Sequence, residues 1–240
     1  METLRVTPLI DHTLLRADAS REDIERLCTE ARQYGFAAVC VNGCWVELAA
    51  WRLEETDIKV ATVVGFPLGA CDPDVKRFET ETAIEHGAHE IDMVINLAWL
   101  KAREDRKLFR EIRDVVEAAE GRTVKVILET ALLNEEEKRL GCELAKGAGA
   151  RFVKTSTGFG PGGATVEDVR LLREAVGPHF GVKASGGIRN LGSARALVRA
   201  GANRIGTSSG VLIAQEEARE AGEGSEPGQQ PAEPNPEEEE

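Results

Sequence analysis

Short apolar runs alternate with longer amphipathic segments along most of the chain. Eight runs have the length and composition of strands: 9–13, 36–41, 59–64, 90–95, 124–129, 151–155, 181–184 and 203–206. Several of them, such as VATVV and VKVIL, are apolar without alternation, which is typical of parallel strands covered on both faces. Helical periodicity between them predicts helices at 21–34, 43–54, 73–86, 101–120, 135–147, 166–176, 191–200 and 208–219.

Capping residues mark the ends of these predicted helices. Four helix starts carry a polar N-cap, and in three of them an acidic residue follows three positions later; the N-caps are Ser20, Asp72, Asn134 and Thr165. Four helices end in a glycine directly before a strand: Gly35, Gly87, Gly149 and Gly201. Eight such β/α units in about 220 residues predict an α/β fold, a parallel (β/α)8 TIM barrel with outer helices. The alternative is an open doubly wound sheet, which would need fewer strands and usually a phosphate loop after its first strand.

The charge of the chain divides unevenly between this predicted domain and the C-terminal twenty residues. The chain has a formal net charge of −12, and residues 221–240 hold seven Glu without any Lys or Arg. The tail contains no aromatic residue and no aliphatic residue larger than Ala, so it cannot bury enough apolar surface to fold. We therefore expect a catalytic barrel domain over residues 1–220 and a disordered acidic tail over residues 221–240.

Composition also narrows the range of partners. An acidic chain is a poor match for nucleic acid or anionic membranes, although a small phosphorylated ligand needs only a local site. The chain lacks an apolar run of eighteen residues, and its N-terminus lacks the pattern of a signal peptide. Five cysteines, an odd number without a C-x-x-C pair, indicate free thiols in a reducing cytoplasm.

Four lysines lie in predicted strands, and their positions separate them into two pairs. Lys59 and Lys125 open their strands and are interpreted as solvated residues at the stability face of the barrel. Lys154 and Lys183 lie near strand ends, where the active sites of such barrels are found. Two neighbouring ammonium groups destabilise each other's charged form, and a lysine with a lowered pKa can form a Schiff base with a carbonyl. A place for either lysine beneath an outer helix remains the structural alternative.

Three acidic residues are candidates for partners of these lysines. Asp92 lies inside the otherwise apolar strand EIDMVIN, where a carboxylate is costly unless it is paired or hydrogen-bonded. It is expected to pair with a lysine at the barrel mouth or to transfer protons. Glu129 closes VKVILE and Asp11 lies in LIDHT, so both are further candidates near the mouth.

Glycine-rich turns after the last two strands predict a phosphate site. Ser185-Gly186-Gly187-Ile188-Arg189 follows the seventh strand, and Gly206-Thr207-Ser208-Ser209-Gly210 follows the eighth. Barrels often bind phosphate in these two loops through backbone N–H groups and a helix N-terminus. A third glycine-rich loop, which contains Gly158, follows Lys154 and is expected either to close over the ligand or simply to connect.

The remaining reactive residue types give little support for metal or thiol chemistry. His86 and His89 fall at a predicted helix end away from the mouth, and His12 has no second histidine near it in the sequence, so no metal site is expected. Cys40 and Cys44 are interpreted as small buried or mouth-lining residues rather than nucleophiles.

Together, VKTSTGF, VKASGGIR, HEIDMVIN, LIDHTLL, ATVVGFPLG, VKVILET and IGTSSG resemble the deoxyribose-phosphate aldolase family, from about Pro8 to Gln215. The resemblance implies a class I aldolase without cofactor or metal. It implies reversible cleavage of 2-deoxy-D-ribose 5-phosphate to D-glyceraldehyde 3-phosphate and acetaldehyde, and a homodimer as the oligomer. Other readings are a different phosphate-binding barrel lyase or isomerase and a non-catalytic sugar-phosphate sensor.

The resemblance also implies roles for individual residues. Lys154 becomes the Schiff-base lysine, Lys183 the cation that lowers its pKa, and Asp92 the residue that relays protons through water. It assigns binding of the substrate and its phosphate to the glycine-rich loops, with these candidate residues: Gly158, Gly186, Gly187, Gly206, Ser208 and Ser209. Some family members end in a tyrosine that assists proton transfer, whereas the single tyrosine here is Tyr34.

Overall fold

The structure is a computed structural model that describes residues 4–223, and its strands form one closed barrel. The eight parallel strands pair in sequence order, and the first pairs with the last. They are β1 (Ile10–Leu14), β2 (Ala38–Val41), β3 (Lys59–Val64), β4 (Glu90–Val94), β5 (Thr123–Ile127), β6 (Phe152–Lys154), β7 (Gly181–Ser185) and β8 (Arg204–Thr207). All eight predicted strands are thus confirmed, and closure excludes the open doubly wound sheet.

Helices connect consecutive strands and surround the barrel. They are α1 (Arg21–Tyr34), α2 (Val46–Leu53), α3 (Pro73–Glu85), α4 (Leu97–Lys101), α5 (Asp105–Ala118), α6 (Glu135–Gly147), α7 (Val166–Val176), α8 (Leu191–Arg199) and α9 (Gly210–Glu223). The single helix predicted over 101–120 was wrong in its first part: α4 and α5 are separate, because Arg103 between them adopts a left-handed conformation with φ 58°. The start of the predicted 43–54 helix is a short 3-10 helix, Gly43–Trp45.

The four predicted N-caps and the four predicted glycine helix ends are present in the structure. Ser20 and Asn134 form reciprocal capping boxes with Asp23 and Glu137, and Thr165 accepts a hydrogen bond from the backbone N–H of Asp168. All four glycines predicted to end helices have positive φ, the conformation that turns a helix end toward the next strand. Local sequence therefore fixes most of the boundaries that set the barrel's repeat.

The two faces of the barrel sheet contact different environments: a hydrophobic layer beneath the helices on the outside, and a partly charged interior on the inside. Outward-facing strand residues such as Val39, Val126 and Ile205 join the helices in one large hydrophobic core. Inside the barrel, a small apolar cluster (Leu15, Cys40, Ala61 and Val63) lies beside a buried group of charged side chains. The apolar layer between sheet and helices supplies most of the hydrophobic stabilisation, whereas the barrel interior contains the buried charged side chains.

The last helix, α9, continues past residue 220, the predicted end of the barrel domain. Helix α9 continues through residues 221–223, which were assigned to the acidic tail, and the rest of that tail, 224–240, lies outside the described residues. Glu217 of α9 accepts hydrogen bonds from the backbone N–H groups of Val6 and Thr7, so this helix joins the two ends of the barrel domain. Across residues 4–223, no helix is long and apolar enough to cross a membrane.

Candidate active site

A cavity of about 400 Å³ opens at the carboxyl ends of β1, β6, β7 and β8. Lys154 lies at its floor with 2% of its surface exposed, and the glycine-rich turns after β7 and β8 form one wall. This end of a barrel is where active sites of such folds are built, because eight strand ends and their loops converge there. The cavity therefore has one reactive amine beside a set of backbone amides.

Lys154 and Lys183 meet at one carboxylate inside the barrel. They are register partners on β6 and β7, and both Nζ atoms bond to Oδ2 of Asp92, at 2.8 Å from Lys154 and 2.7 Å from Lys183. The predicted convergence of Lys154, Lys183 and Asp92 is therefore present in the structure. Neither lysine points outward beneath a helix, so that alternative is wrong.

The two lysines differ in their electrostatic surroundings. Burial lowers the pKa of Lys154, and the neighbouring Lys183 lowers it further, although Asp92 opposes both effects. Burial also acts to lower the pKa of Lys183, but Asp11 and Asp92 outweigh it and raise that pKa above its usual value. Lys154 is thus the amine that most readily becomes neutral. Burial, and not the charge of Lys183 as predicted from the sequence, is the larger cause of the lowered pKa of Lys154.

Asp92 is held as a carboxylate by three cations. Burial acts to raise its pKa, but the charges of Lys125, Lys154 and Lys183 lower it well below the usual range. Lys125 Nζ lies 2.7 Å from Asp92 Oδ1, on the side of the carboxylate opposite the two mouth lysines. Asp92 therefore remains ionised while its neighbours exchange protons.

The prediction that Lys125 is a solvated lysine at the stability face was wrong. Its side chain is fully buried in the barrel and pairs with Glu90 at 2.5 Å as well as with Asp92. Val124 and Val126 face the outer hydrophobic core, so the residue between them must point inward. Lys59, the other lysine of that predicted pair, is exposed as expected.

The other two acidic candidates differ in outcome: Asp11 pairs with one of the mouth lysines, as expected of a candidate partner, and Glu129 does not. Asp11 pairs with Lys183 at 2.5 Å and with Arg204; burial acts to raise its pKa, but these cations lower it to about 2. Glu129 does not pair with any lysine of residues 4–223, so that prediction was wrong. Its carboxylate instead accepts a short hydrogen bond from the Thr157 hydroxyl, beside the cavity.

The glycine-rich turns line the cavity at the carboxyl ends of the strands, and their role in binding an anion stays a prediction. Gly158, Gly186, Gly187, Gly206 and Ser208 line it. Gly186 and Gly187 have φ of 92° and 75°, a left-handed pair that suits glycine. A Cβ on Gly206 would lie 3.0 Å from Cε of Lys183, so glycine there lets the loop approach the lysine.

Ser209 lies outside the lining of the cavity, at the start of α9. Its backbone N–H donates to Oγ1 of Thr207, and its carbonyl accepts the helical bond from Ile213. Sequence reasoning overlooked the cavity residues that follow β1, including Leu15 and Arg16. The signal was available, because β1 and β8 must be neighbours once eight strands close into a barrel.

Two aromatic rings bridge loops at the rim of the mouth. Phe66, after β3, and Phe159, after β6, pack edge to face with ring centroids 5.2 Å apart. Phe159 also lines the cavity, and 57% of its surface is exposed. The pair therefore makes an apolar border at the rim of the cavity.

The remaining candidates do not line the cavity. His12 points outward from β1 and bonds to Glu30 at 2.7 Å, and Tyr34 receives a hydrogen bond from Gln215. Cys40 is buried with a raised pKa, caused by burial, which agrees with its interpretation as a small interior residue. Cys44 is exposed and lines a separate apolar groove, so its assignment as buried or mouth-lining was wrong. No group of three His, Cys, Asp or Glu side chains within residues 4–223 could hold a metal ion together.

A parallel barrel whose mouth holds a buried lysine of lowered pKa, hydrogen-bonded to a carboxylate, has the arrangement that enzymes acting through a Schiff base require. Comparison with known proteins gives the family. The model of the DeoC/LacD family aldolases matches residues 5–216, and the chain belongs to this family.

Individual relatives agree with that assignment. The chain is 59% identical over 212 residues to deoxyribose-phosphate aldolase 1 of Bacillus licheniformis, which covers 88% of this chain and 95% of that protein. It is 56% identical over 216 residues to deoxyribose-phosphate aldolase of Caldanaerobacter subterraneus, covering 89% and 94% of the two chains. A tetrameric structure of deoxyribose phosphate aldolase from Aeropyrum pernix superposes with a TM-score of 0.83 at 37% identity, covering 88% of this chain and 90% of that one.

Proposed function

We propose that this protein is a class I aldolase that reversibly cleaves 2-deoxy-D-ribose 5-phosphate to D-glyceraldehyde 3-phosphate and acetaldehyde. The observation that carries this proposal is the position of Lys154: its amine has a lowered pKa and lies at the floor of a glycine-lined cavity. A neutral amine attacks a carbonyl, whereas an ammonium group cannot. The high identity to relatives named deoxyribose-phosphate aldolase supplies the substrate.

The chemistry begins at the aldehyde carbon of the open-chain sugar phosphate. Neutral Lys154 adds to this carbon, and loss of water leaves a protonated imine. Once the C3 hydroxyl loses its proton, the C2–C3 bond breaks, and its electron pair flows toward the imine nitrogen to give an enamine. Glyceraldehyde 3-phosphate leaves, C2 takes up a proton, and hydrolysis of the imine releases acetaldehyde and restores Lys154.

Asp92 and Lys183 support these proton transfers. The Asp92 carboxylate, bonded to the nitrogen of Lys154, stabilises the protonated imine, and with Lys183 it relays protons through water. The phosphate binds far from the reacting carbons, on the backbone amides of Gly186, Gly187 and the loop at Ser208. This distant contact orients the sugar, an effect that can be worth several kcal/mol of barrier.

Borohydride trapping with acetaldehyde, followed by peptide mass spectrometry, tests the proposal. We expect a stable adduct on Lys154 and its absence from Lys154→Ala. An adduct on another lysine, or none, would refute the assignment. A barrel enzyme that works without an imine predicts that Lys154→Ala keeps its activity, and a non-catalytic sensor predicts binding of the sugar phosphate without turnover.

A homodimer in the cytoplasm is the state we propose for the working enzyme. An apolar groove runs beside α3, and the side chains at its edge are unusually exposed for their type: Leu68 at 73% and Phe78 at 69%. A second copy of the chain would cover this apolar surface. The proposed cytoplasmic location rests on the cysteines, all five of which are free thiols, as expected in a reducing compartment. Analytical ultracentrifugation should detect a dimer that Phe78→Arg dissociates; a monomeric parent protein would exclude it.

The acidic segment beyond α9 is proposed to be dispensable for catalysis. Glu216 of α9 accepts a hydrogen bond from the backbone of Leu191, so a truncation should leave this helix intact. A chain that stops after Glu223 is expected to keep its kcat/KM. Loss of most of the activity in that truncated chain would show that the segment takes part.

A further inference from the structure

The charged side chains inside the barrel form a closed ring in which cations and anions alternate. Arg204 contacts both Asp11 and Glu90, Glu90 contacts Lys125, and Lys125 contacts Asp92. Lys183 closes the ring, because it contacts Asp92 at 2.7 Å and Asp11 at 2.5 Å. Lys154 is not a member of the ring; it is attached to it at Asp92 alone.

The ring is electrically neutral without Lys154. It contains three carboxylates, Asp11, Glu90 and Asp92, and three cations, Lys125, Lys183 and Arg204. A proton on Lys154 therefore makes the buried group positive by one charge, in an interior where an uncompensated charge is costly. The adjoining strands add the Cys40 thiol from β2 and the apolar Ala61 and Val63 from β3, and these residues add no cation or carboxylate.

Two members of the ring lie at the end of the barrel opposite the cavity. Glu90 opens β4 and Arg204 opens β8, so their salt bridge of 3.1 Å crosses the barrel near the amino ends of the strands. They are also the ring members with measurable side-chain exposure, 9% and 15% respectively. Neither residue lines the cavity, so a change at this pair alters charge without altering the surface that meets the substrate.

We propose that Glu90 and Arg204 are positioning residues that set the ionisation of Lys154 from the far end of the barrel, by keeping the six-member ring neutral. The inference rests on the proposed role of Lys154 as the Schiff-base lysine. Loss of the Glu90 charge leaves a surplus positive charge, so Lys154 gives up its proton at lower pH. Loss of the Arg204 charge leaves a surplus negative charge, so Lys154 keeps its proton to higher pH.

The size of the effect follows from Coulomb's law. A unit charge on the order of 8 to 10 Å away, at an effective dielectric constant near 20, moves a titration midpoint by about one pH unit. Only neutral Lys154 reacts, so the trapping rate rises with pH through its midpoint. At a pH below that midpoint, Glu90→Gln should therefore react about tenfold faster than the parent protein, and Arg204→Gln about tenfold slower.

The test measures the rate of borohydride trapping with acetaldehyde as a function of pH. We expect the midpoint to move down in Glu90→Gln, up in Arg204→Gln, and back to the parent value in the double variant, which is neutral again. Arg204→Lys, which keeps the charge, should leave the midpoint in place. Lys59→Gln is the matched control, because Lys59 opens β3 at the same end of the barrel but is exposed and outside the ring.

The outcomes separate this inference from the proposed function. If mass spectrometry finds the adduct elsewhere than on Lys154, the proposed function fails. If the adduct is on Lys154 but the midpoint does not move, or moves the same way in both single variants, the ring does not set its ionisation. Thermal melts identify variants that do not fold. If one single variant does not fold, the shift of the midpoint in the other single variant is enough to test the inference. Loss of folding in both singles and the double would overturn the inference in favour of a purely structural pair.

Discussion

Gly163 gives the sharpest test of the proposed phosphate site, because the effect of a substitution there can be worked out from one contact. It lies in the loop after β6, where Ala164 donates a backbone hydrogen bond to the carbonyl of Gly186, at 3.0 Å. A Cβ at position 163 would be 2.3 Å from that same carbonyl oxygen, whereas ordinary contacts begin at 3.4 Å. Gly163→Ala must therefore push the loop away from Gly186 by about 1 Å.

That displacement should damage phosphate binding and leave the imine chemistry intact. A misplacement of about 1 Å in a positioning element can cost about 100-fold in rate. We therefore expect kcat/KM for 2-deoxy-D-ribose 5-phosphate to fall by about two orders of magnitude. Trapping of acetaldehyde, which carries no phosphate, should proceed at the parent rate, because Lys154 and Asp92 lie on the strands and not on the displaced loop.

Gly192→Ala is the matched control, since its Cβ meets nothing nearer than 3.5 Å and lies in helix α8. It should keep parent kinetics and gain up to about 1 kcal/mol of stability, because alanine is the better helix former. Unchanged kinetics of Gly163→Ala with the phosphorylated sugar would refute the phosphate site at Gly186. An equal loss in the trapping reaction would mean that the loop supports the lysine instead.

Three further substitutions test other parts of the structure. Lys183→Met removes the cation that shares Asp92 with Lys154, so the acidic limb of the pH–rate profile should move to higher pH; an unmoved limb would contradict the electrostatic role. Lys76→Met leaves the fully buried Glu111 without its cation and should cost about 3–5 kcal/mol in urea unfolding. Burial raises the pKa of Glu111, so this loss should be smaller at pH 5 than at pH 8; the reverse trend would contradict that assignment. Asn134→Ala breaks a capping box and should cost about 1 kcal/mol by the same assay, whereas no loss would mean that water replaces the cap.

Local sequence signals predicted the fold because the barrel repeats one unit eight times. The glycine at each of four helix ends and the polar residue at each of four helix starts act within a few positions, so they can be recognised without tertiary contacts. The error at 101–120 came from Arg103, a residue type that gives no sign of a left-handed conformation. The Asn96 cap at the start of α4 was the available signal.

The site was predictable only where function concentrates at strand ends. Lys154 and Lys183 precede glycine-rich turns, so their common location at the mouth could be inferred. The prediction for Lys125 was wrong because it considered only the position of this residue near the start of its strand. Side chains alternate between the two faces of a strand, and since Val124 and Val126 face outward, Lys125 must face the barrel interior. The contact of Arg204 with Glu90 joins strands on opposite sides of the barrel, and no local pattern encodes a contact across a closed sheet.

Because the ring of alternating charges is buried, ionic strength should affect substrate binding and imine formation differently. Mobile ions screen charges that they can approach, over about 10 Å at 0.1 M salt, but they do not enter a closed barrel. Only 2% of the surface of Lys154 is exposed, whereas Ser208 in the glycine-rich wall of the cavity is open to solvent. Added salt should therefore raise KM for the phosphorylated sugar and leave the pH dependence of imine formation where it was. The ionisation of Lys154 is thus expected to stay constant across ionic strengths, while the affinity for a phosphorylated substrate varies with them.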